Sequence, residues 1–290
     1  MTLNFKPLCL AFALTALPCL ANAAPQVLTT LPVTHSLGAA LLEGTSVQLK
    51  RAAPANLPAT RQPSYFTGRG GDSLKRAAQQ ADAVIGLRSI WRDDPLYPMA
   101  RRSNIRIVEI DAAHPVDGAL PGIAVSGDDA FAGYPWLNPI NLGRMADVVA
   151  NDLERLSPQD KAKIQANLAA LKRQLLELTS SSQTRLAAAD NLSVVSLSDR
   201  LGYLASGLNL DVVAQPLPDG DKWDAATLQA LGENLKAQDV ALVLHHRQPE
   251  AQVAKVIEAS GAKLVVVESD PEDALAGLKA SIEQVVVALQ

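Results

Sequence analysis

"SPQDKAKIQANLAALKRQLLELTSSSQTRLAAA", residues 157–189, is the stretch whose reading decides the fold. Ser157 suits an N-cap and Pro158 suits the first helical position, where a missing N–H costs nothing. Ile164, Leu168, Leu171, Leu175 and Leu178 recur at a spacing of three or four, the period of one helical face. Nothing breaks this pattern before the serine run at 180–182. About thirty residues of helix span roughly 45 Å. That is long for a helix inside one globular unit and suits a rigid backbone joining two lobes.

On both sides of this helix, short apolar runs alternate with helical patterns. Before it, "QVLTTLPVTH" reads as a strand ending near His35, "SLGAALLEGT" as a helix stopped by Gly44, and "SVQLKRAA" as a second strand. "GGDSLKRAAQQA" reads as a helix with Asp72 near its start, followed by the strands "DAVIGL" and "IRIVEID". After it, "NLSVVSLS", "LDVVAQPL", "VALVLHH" and "AKLVVVES" read as strands with helices between them, and "EDALAGLKASIEQVVVAL" reads as a closing helix. Beta–alpha alternation predicts an α/β fold with mostly parallel sheets covered by helices. The expected division is a signal peptide at 1–24, an N-terminal lobe at 25–156, the linking helix at 157–189 and a C-terminal lobe at 190–290. The loop from Ala113 to Pro135 is expected near the opening between the lobes.

The first residues predict the compartment. Lys6, the apolar run Leu8 to Leu17 and the small-residue stretch "LANAA" form a secretory signal pattern, too short for a membrane span. A lipid-anchored reading needs a small residue before Cys19, where Pro18 stands. Both cysteines, Cys9 and Cys19, fall in this segment, so the processed chain is expected to lack disulfides and thiolate metal sites. Among charged residues the segment holds only Lys6, which leaves 25 basic against 30 acidic residues. That balance gives no electrostatic reason to bind nucleic acid. The expected location is the periplasm, with no membrane span in the processed chain.

Four local phrases carry a family resemblance. "PSYFTGRGGDSL" begins at Pro63, "YPWLNP" at Tyr134, "SDRLGYLASGL" at Ser198, and "VVVESD" contains Glu268. In this order, with the two-lobe plan, the chain resembles the metal-specific (zinc- and manganese-type) periplasmic solute-binding proteins of ABC transporters. The resemblance covers nearly the whole processed chain. It implies a metal cage of three imidazoles and one carboxylate, and it places the three imidazole positions on Ser64, Tyr134 and Ser198 and the carboxylate on Glu268. The surrounding frame is kept in Pro63, Asp72, Trp136, Leu137, Pro139, Asp199, Tyr203, Gly207 and Leu208. Two hydroxyls and a phenol of ordinary pKa near 10 are poor replacements for imidazole on zinc. The four positions are therefore expected not to form a tight zinc or manganese cage.

The remaining candidates leave several readings open. Ser64, Tyr134, Ser198 and Glu268 are expected to line a cleft that binds something larger than an ion, such as a siderophore-like metal chelate. Arg69 and Arg200, with Arg61 beside them, are candidates to clamp its carboxylates. Trp91 and Trp136 are candidates for stacking, although Trp136 also reads as packing beneath the cleft. A relocated metal site would use Glu268 with His35, His245 or His246, but adjacent strand residues point to opposite faces and do not chelate one ion together. A ferric site would use Tyr134, Tyr65 and Glu268. The cargo is then Zn, Mn or Fe, free or chelated. The expected partners are an inner-membrane ABC permease and, on one reading, a second solute-binding protein. The alternative is an accessory protein that binds no ligand and acts through contacts with a true receptor or the permease. No G-x-S-x-G, phosphate-loop or H-E-x-x-H constellation points to an enzyme.

Overall fold

The computed structural model describes residues 24–115, 118, 120–125, 131–218 and 222–290. The expected signal segment lies outside these residues apart from Ala24, as do parts of the 113–135 loop. The described residues form two four-stranded parallel sheets flanked by helices, the α/β fold expected.

The first sheet has the order β2–β1–β3–β4, from Gln26–Thr29 (β1), Gln48–Arg51 (β2), Ala83–Gly86 (β3) and Val108–Asp111 (β4). The first apolar run does not continue to His35. The strand ends at Thr29, and Pro32 opens helix α1 (Pro32–Leu42), so His35 lies in that helix's first turn. Proline's fixed φ prepares a helix start, which outweighs the apolar continuity across the turn. Helices α2 (Gln62–Thr67), α3 (Gly71–Gln80) and α4 (Leu96–Ser103) complete this lobe. The short, proline-flanked α4 gave no readable period in the sequence.

The second sheet has the order β6–β5–β7–β8, from Ser193–Ser196 (β5), Asp211–Val212 (β6), Leu242–His245 (β7) and Lys263–Val266 (β8). Its flanking helices are α7 (Gly202–Gly207), α8 (Ala225–Ala237), α9 (Ala251–Ser260) and α10 (Ala274–Leu289).

Between the sheets run α5 (Pro139–Leu156) and the spine α6 (Lys161–Leu186). The 26-residue spine is about 39 Å long at 1.5 Å per residue. It starts later than expected, because Pro158–Asp160 forms a 3-10 turn instead. Ser157 does not cap it: the Ser157 hydroxyl donates to Asp160 Oδ2 at 2.8 Å, and Asp160 also accepts from Ser46 Oγ at 2.6 Å. This ties the foot of the spine to the first lobe. Ile164, Leu171 and Leu175 are buried, with Leu168 and Leu178 packed at the edge of the same core. The spine packs against α1, α5 and α10, and its apolar residues join one core that draws on both lobes.

Candidate functional site

In an open parallel sheet, ligands collect beyond the C-terminal strand ends, where neighbouring crossovers diverge. Both sheets present those ends to a common cleft of about 1040 Å³. The first lobe contributes residues 55–60 after β2, Ser89 to Asp93 after β3, and Val125, Phe131, Ala132 and Tyr134 after β4. The second contributes Arg200 after β5 and Glu268, Asp270 and Glu272 after β8.

An aromatic ladder forms one wall. Trp91 stacks on Phe131 with ring centroids 4.8 Å apart and planes 14° apart. Phe131 lies 6.3 Å from Tyr134, and both rings lean on the buried Trp136. The Arg200 guanidinium crosses from the second lobe to sit 5.0 Å over the Tyr134 ring. Tyr134 holds a left-handed backbone at φ 52°, unusual and strained for an aromatic residue. The following 3-10 turn, Pro135–Leu137, holds it there through the bond from Leu137 N to Tyr134 O at 3.0 Å. Burial pushes the Tyr134 phenol above its ordinary value against the opposing pull of Arg200, so the ring stays neutral at pH 7.

The opposite wall is acidic. Asp270 is exposed on one side, yet crowding around its carboxyl pushes it up to about 6; Arg200 opposes the shift, and Glu272 and Glu268 reinforce it. Glu272 also reaches the first lobe, where its carboxylate takes two bonds from the Arg51 guanidinium at 2.7 and 3.3 Å. Beside this pair, Ser36 Oγ accepts from Ala274 N at 2.9 Å and joins α1 to the start of α10. A second cavity of about 450 Å³ lies here, lined by His35, Arg51, Glu272 and Asp273.

Of the residues singled out from the sequence, Tyr134, Arg200 and Glu268 share the cleft with Trp91. Ser64 and Arg69 are exposed and do not line it. The Ser64 hydroxyl donates to Arg61 O at 3.0 Å, and the Arg69 guanidinium lies 5.5 Å over Tyr65. Ser198 is buried and caps the 3-10 turn Asp199–Leu201 by accepting from Arg200 N at 3.3 Å. Tyr65 packs edge-on against Phe66 and lies outside the lining, so it is not brought to Tyr134 and Glu268.

The relocated metal set is not assembled. His35 faces the second cavity, its Nδ1 2.9 Å from Thr29 Oγ1, and partial burial with Arg51 nearby holds it below its ordinary value. His245 is buried at the end of β7, accepts from Arg247 N at 3.0 Å and stacks on His246. Among the described residues, no three His, Cys, Asp or Glu side chains stand close enough to hold one ion.

Sequence reading missed Arg51, Phe131, Asp270 and Glu272. Asp270 and Glu272 had a visible signal as acids beside Glu268, since "ESDPED" places carboxylates at 268, 270 and 272, although nothing in it showed which partner Glu272 meets. Arg51 and its pairing with Glu272 had none, because the two residues are 221 positions apart. Glu272→Ala is expected to change stability by no more than about 1 kcal/mol, because the Glu272 side chain is 63% exposed. It should also lower the His35 pKa further, since Glu272 raises it and Arg51 lowers it. An NMR titration of His35 moving upward instead would contradict this electrostatic arrangement.

The frame around the altered positions has structural reasons to persist. Asn138 Oδ1 caps α5 by accepting from Ile140 N at 2.9 Å, a task an Asp would do equally well. A Cβ on Gly207 would stand 3.0 Å from Pro139 Cδ and 3.2 Å from Asn138 Cγ, so any larger residue there would have to push the start of α5 aside by a few tenths of an ångström.

Residues 76–282 match the sequence family described as zinc-uptake complex component A, periplasmic. The chain belongs to the ZnuA family. ZnuA-family chains are metal-receptor solute-binding proteins of ABC transporters, and they are not enzymes. A crystal structure of ZnuA superimposes with a TM-score of 0.68 at 20% identity, covering 92% of this chain and all of that one. FpvC of Pseudomonas aeruginosa in complex with Mn²⁺ gives 0.67 at 20%, covering 92% and 98%. The laminin-binding protein Lmb of Streptococcus agalactiae, described as an adhesin with metal-transporting activity, gives 0.69 at 16%, covering 92% and 100%. No curated protein matches the chain in sequence. Among the described residues, no helix is long and apolar enough to cross a membrane.

Proposed function

We propose that this chain is the periplasmic receptor of a metal-related ABC importer, and that its cleft takes a metal chelate in place of a bare ion. The observation that carries this reading is the Arg200 guanidinium held 5.0 Å over Tyr134. The family resemblance implies an imidazole at position 134, and here a neutral phenol sits there under a permanent positive charge. A nearby cation disfavours a second cation and favours an anion. The cleft volume of about 1040 Å³ supports a cargo much larger than one ion. The Mn²⁺ complex of FpvC supports metal as the transported element. The inner-membrane permease is the implied partner, and the 1–24 segment is the implied export signal.

Native mass spectrometry of chelator-stripped protein tests this. Zinc, manganese, ferrous and ferric ions offered alone should leave no stoichiometric complex, whereas ferric citrate or a ferric catecholate should leave a 1:1 complex. One tightly held bare ion, lost in Glu268→Ala, would mean a rebuilt ion site and would sink the chelate reading. Binding of neither ions nor chelates would also sink it, in favour of an accessory role through protein contacts.

A further inference from the structure

The aromatic ladder carries an inference about which chelates the cleft accepts. Phe131 covers one face of Trp91 in near-parallel stacking, at 4.8 Å and 14°. Trp91 nevertheless stays partly exposed and lines the cleft. An indole that is backed by a second ring and still open to a cavity is a flat, rigid surface whose remaining contacts are unmet.

Its loop is fixed at both ends. Asp111 accepts from Ser89 N at 2.6 Å and from Ser89 Oγ at 2.8 Å, and buried Asp94 accepts from Leu87 N at 2.9 Å and Leu96 N at 3.0 Å. Trp91 is therefore held in place before any ligand arrives. The ladder then runs through Phe131 and Tyr134 and ends on the cation of Arg200. Flatness at one end and positive charge at the other suit a group that is planar, conjugated and anionic. Catecholate-type chelating arms combine these three properties, whereas aliphatic carboxylate or hydroxamate arms offer charge or polarity without an aromatic face.

We infer that Trp91 is the specificity platform of the cleft, on which an aromatic, catecholate-type arm of the metal chelate stacks while Arg200 faces its negative charge. This rests on the chelate reading above. Isothermal titration calorimetry with ferric catecholate and ferric citrate, on the wild-type chain and on Trp91→Phe and Trp91→Leu, separates the two ideas. Wild type should bind the catecholate. Trp91→Leu, which keeps apolar bulk, should weaken it about tenfold, while Trp91→Phe should stay within about threefold, as expected for stacking. Citrate affinity should not follow Trp91. Equal catecholate affinity in wild type and Trp91→Leu would overturn the platform and leave the chelate reading standing. If neither chelate binds wild type, the chelate reading fails and the platform fails with it. Circular dichroism and the retained Trp91→Phe affinity distinguish a lost platform from a misfolded variant.

Discussion

Asp94→Ala is expected to lower the stability of the chain by about 2–4 kcal/mol, read as a drop in the urea midpoint of unfolding. Asp94 is 3% exposed and is the acceptor for two backbone donors, Leu87 N and Leu96 N. Alanine leaves both donors without this partner in a dry setting, at about 1–3 kcal/mol each. Part of that loss is offset, because burial also penalises the Asp94 carboxylate and pushes its pKa up to about 6. The offset has a sign in pH. A carboxyl raised above its unfolded value near 3.8 binds its proton more tightly when folded, so its contribution is largest at acid pH and fades as pH rises through 6. The cost of Asp94→Ala should therefore be roughly 1 kcal/mol greater at pH 5 than at pH 7.5. A cost that shrinks at pH 5 would show that Asp94 is stabilised as the anion, contrary to this account. The loop held by Asp94 carries Trp91, Arg92 and Asp93 into the cleft, so the same variant should also weaken ligand binding without touching the ligand.

How much of this was legible beforehand divides along physical lines. Elements set by local periodicity were readable: the stripe from Ile164 to Leu178, the helix opening near Asp72, and apolar runs such as "DAVIGL" bounded by polar turns. Both sheets being parallel followed from alternation alone. What misled was local chemistry overriding a pattern. Pro32 converts an apolar run into a helix start, and Ser157, which reads as a cap, gives its hydroxyl to Asp160 instead. The cleft was legible where the family motif touches it, at Tyr134, Arg200 and Glu268. It was not legible at Ser198, because a serine at a turn start has a backbone donor two residues away to satisfy, and it turns to that donor. Nor could sequence bring Glu272 to Arg51 or Phe131 to Trp91, since those contacts depend on how the lobes and loops fold over one another.

Arg200 is where opposite changes should give opposite results. Arg200→Ala should reduce affinity for an anionic ferric chelate by about 10- to 100-fold, the worth of a charge-assisted contact at 1.4 kcal/mol per decade. The same change leaves Glu268, Asp270 and Glu272 around the cleft with less opposing charge, so affinity for bare Mn²⁺ or Zn²⁺ should rise. Asp270→Asn should do the reverse at pH 7.5, strengthening the anionic chelate severalfold, because it removes the carboxylate that Arg200 faces. A structural role for Arg200 would instead weaken every ligand together and leave the sign pattern flat. Tyr134 supplies an internal check: Arg200 opposes the burial that raises the phenol, so losing Arg200 should drive the Tyr134 pKa higher still, visible as a delayed tyrosinate absorbance in alkaline titration. If anion affinity falls, cation affinity rises and the phenol shifts upward in one variant, then the guanidinium over Tyr134 is what moves the cleft from cation towards anion. If cation affinity does not rise, the acidic wall is too dispersed to replace a cage, and the charge of Arg200 selects the ligand without having displaced a metal.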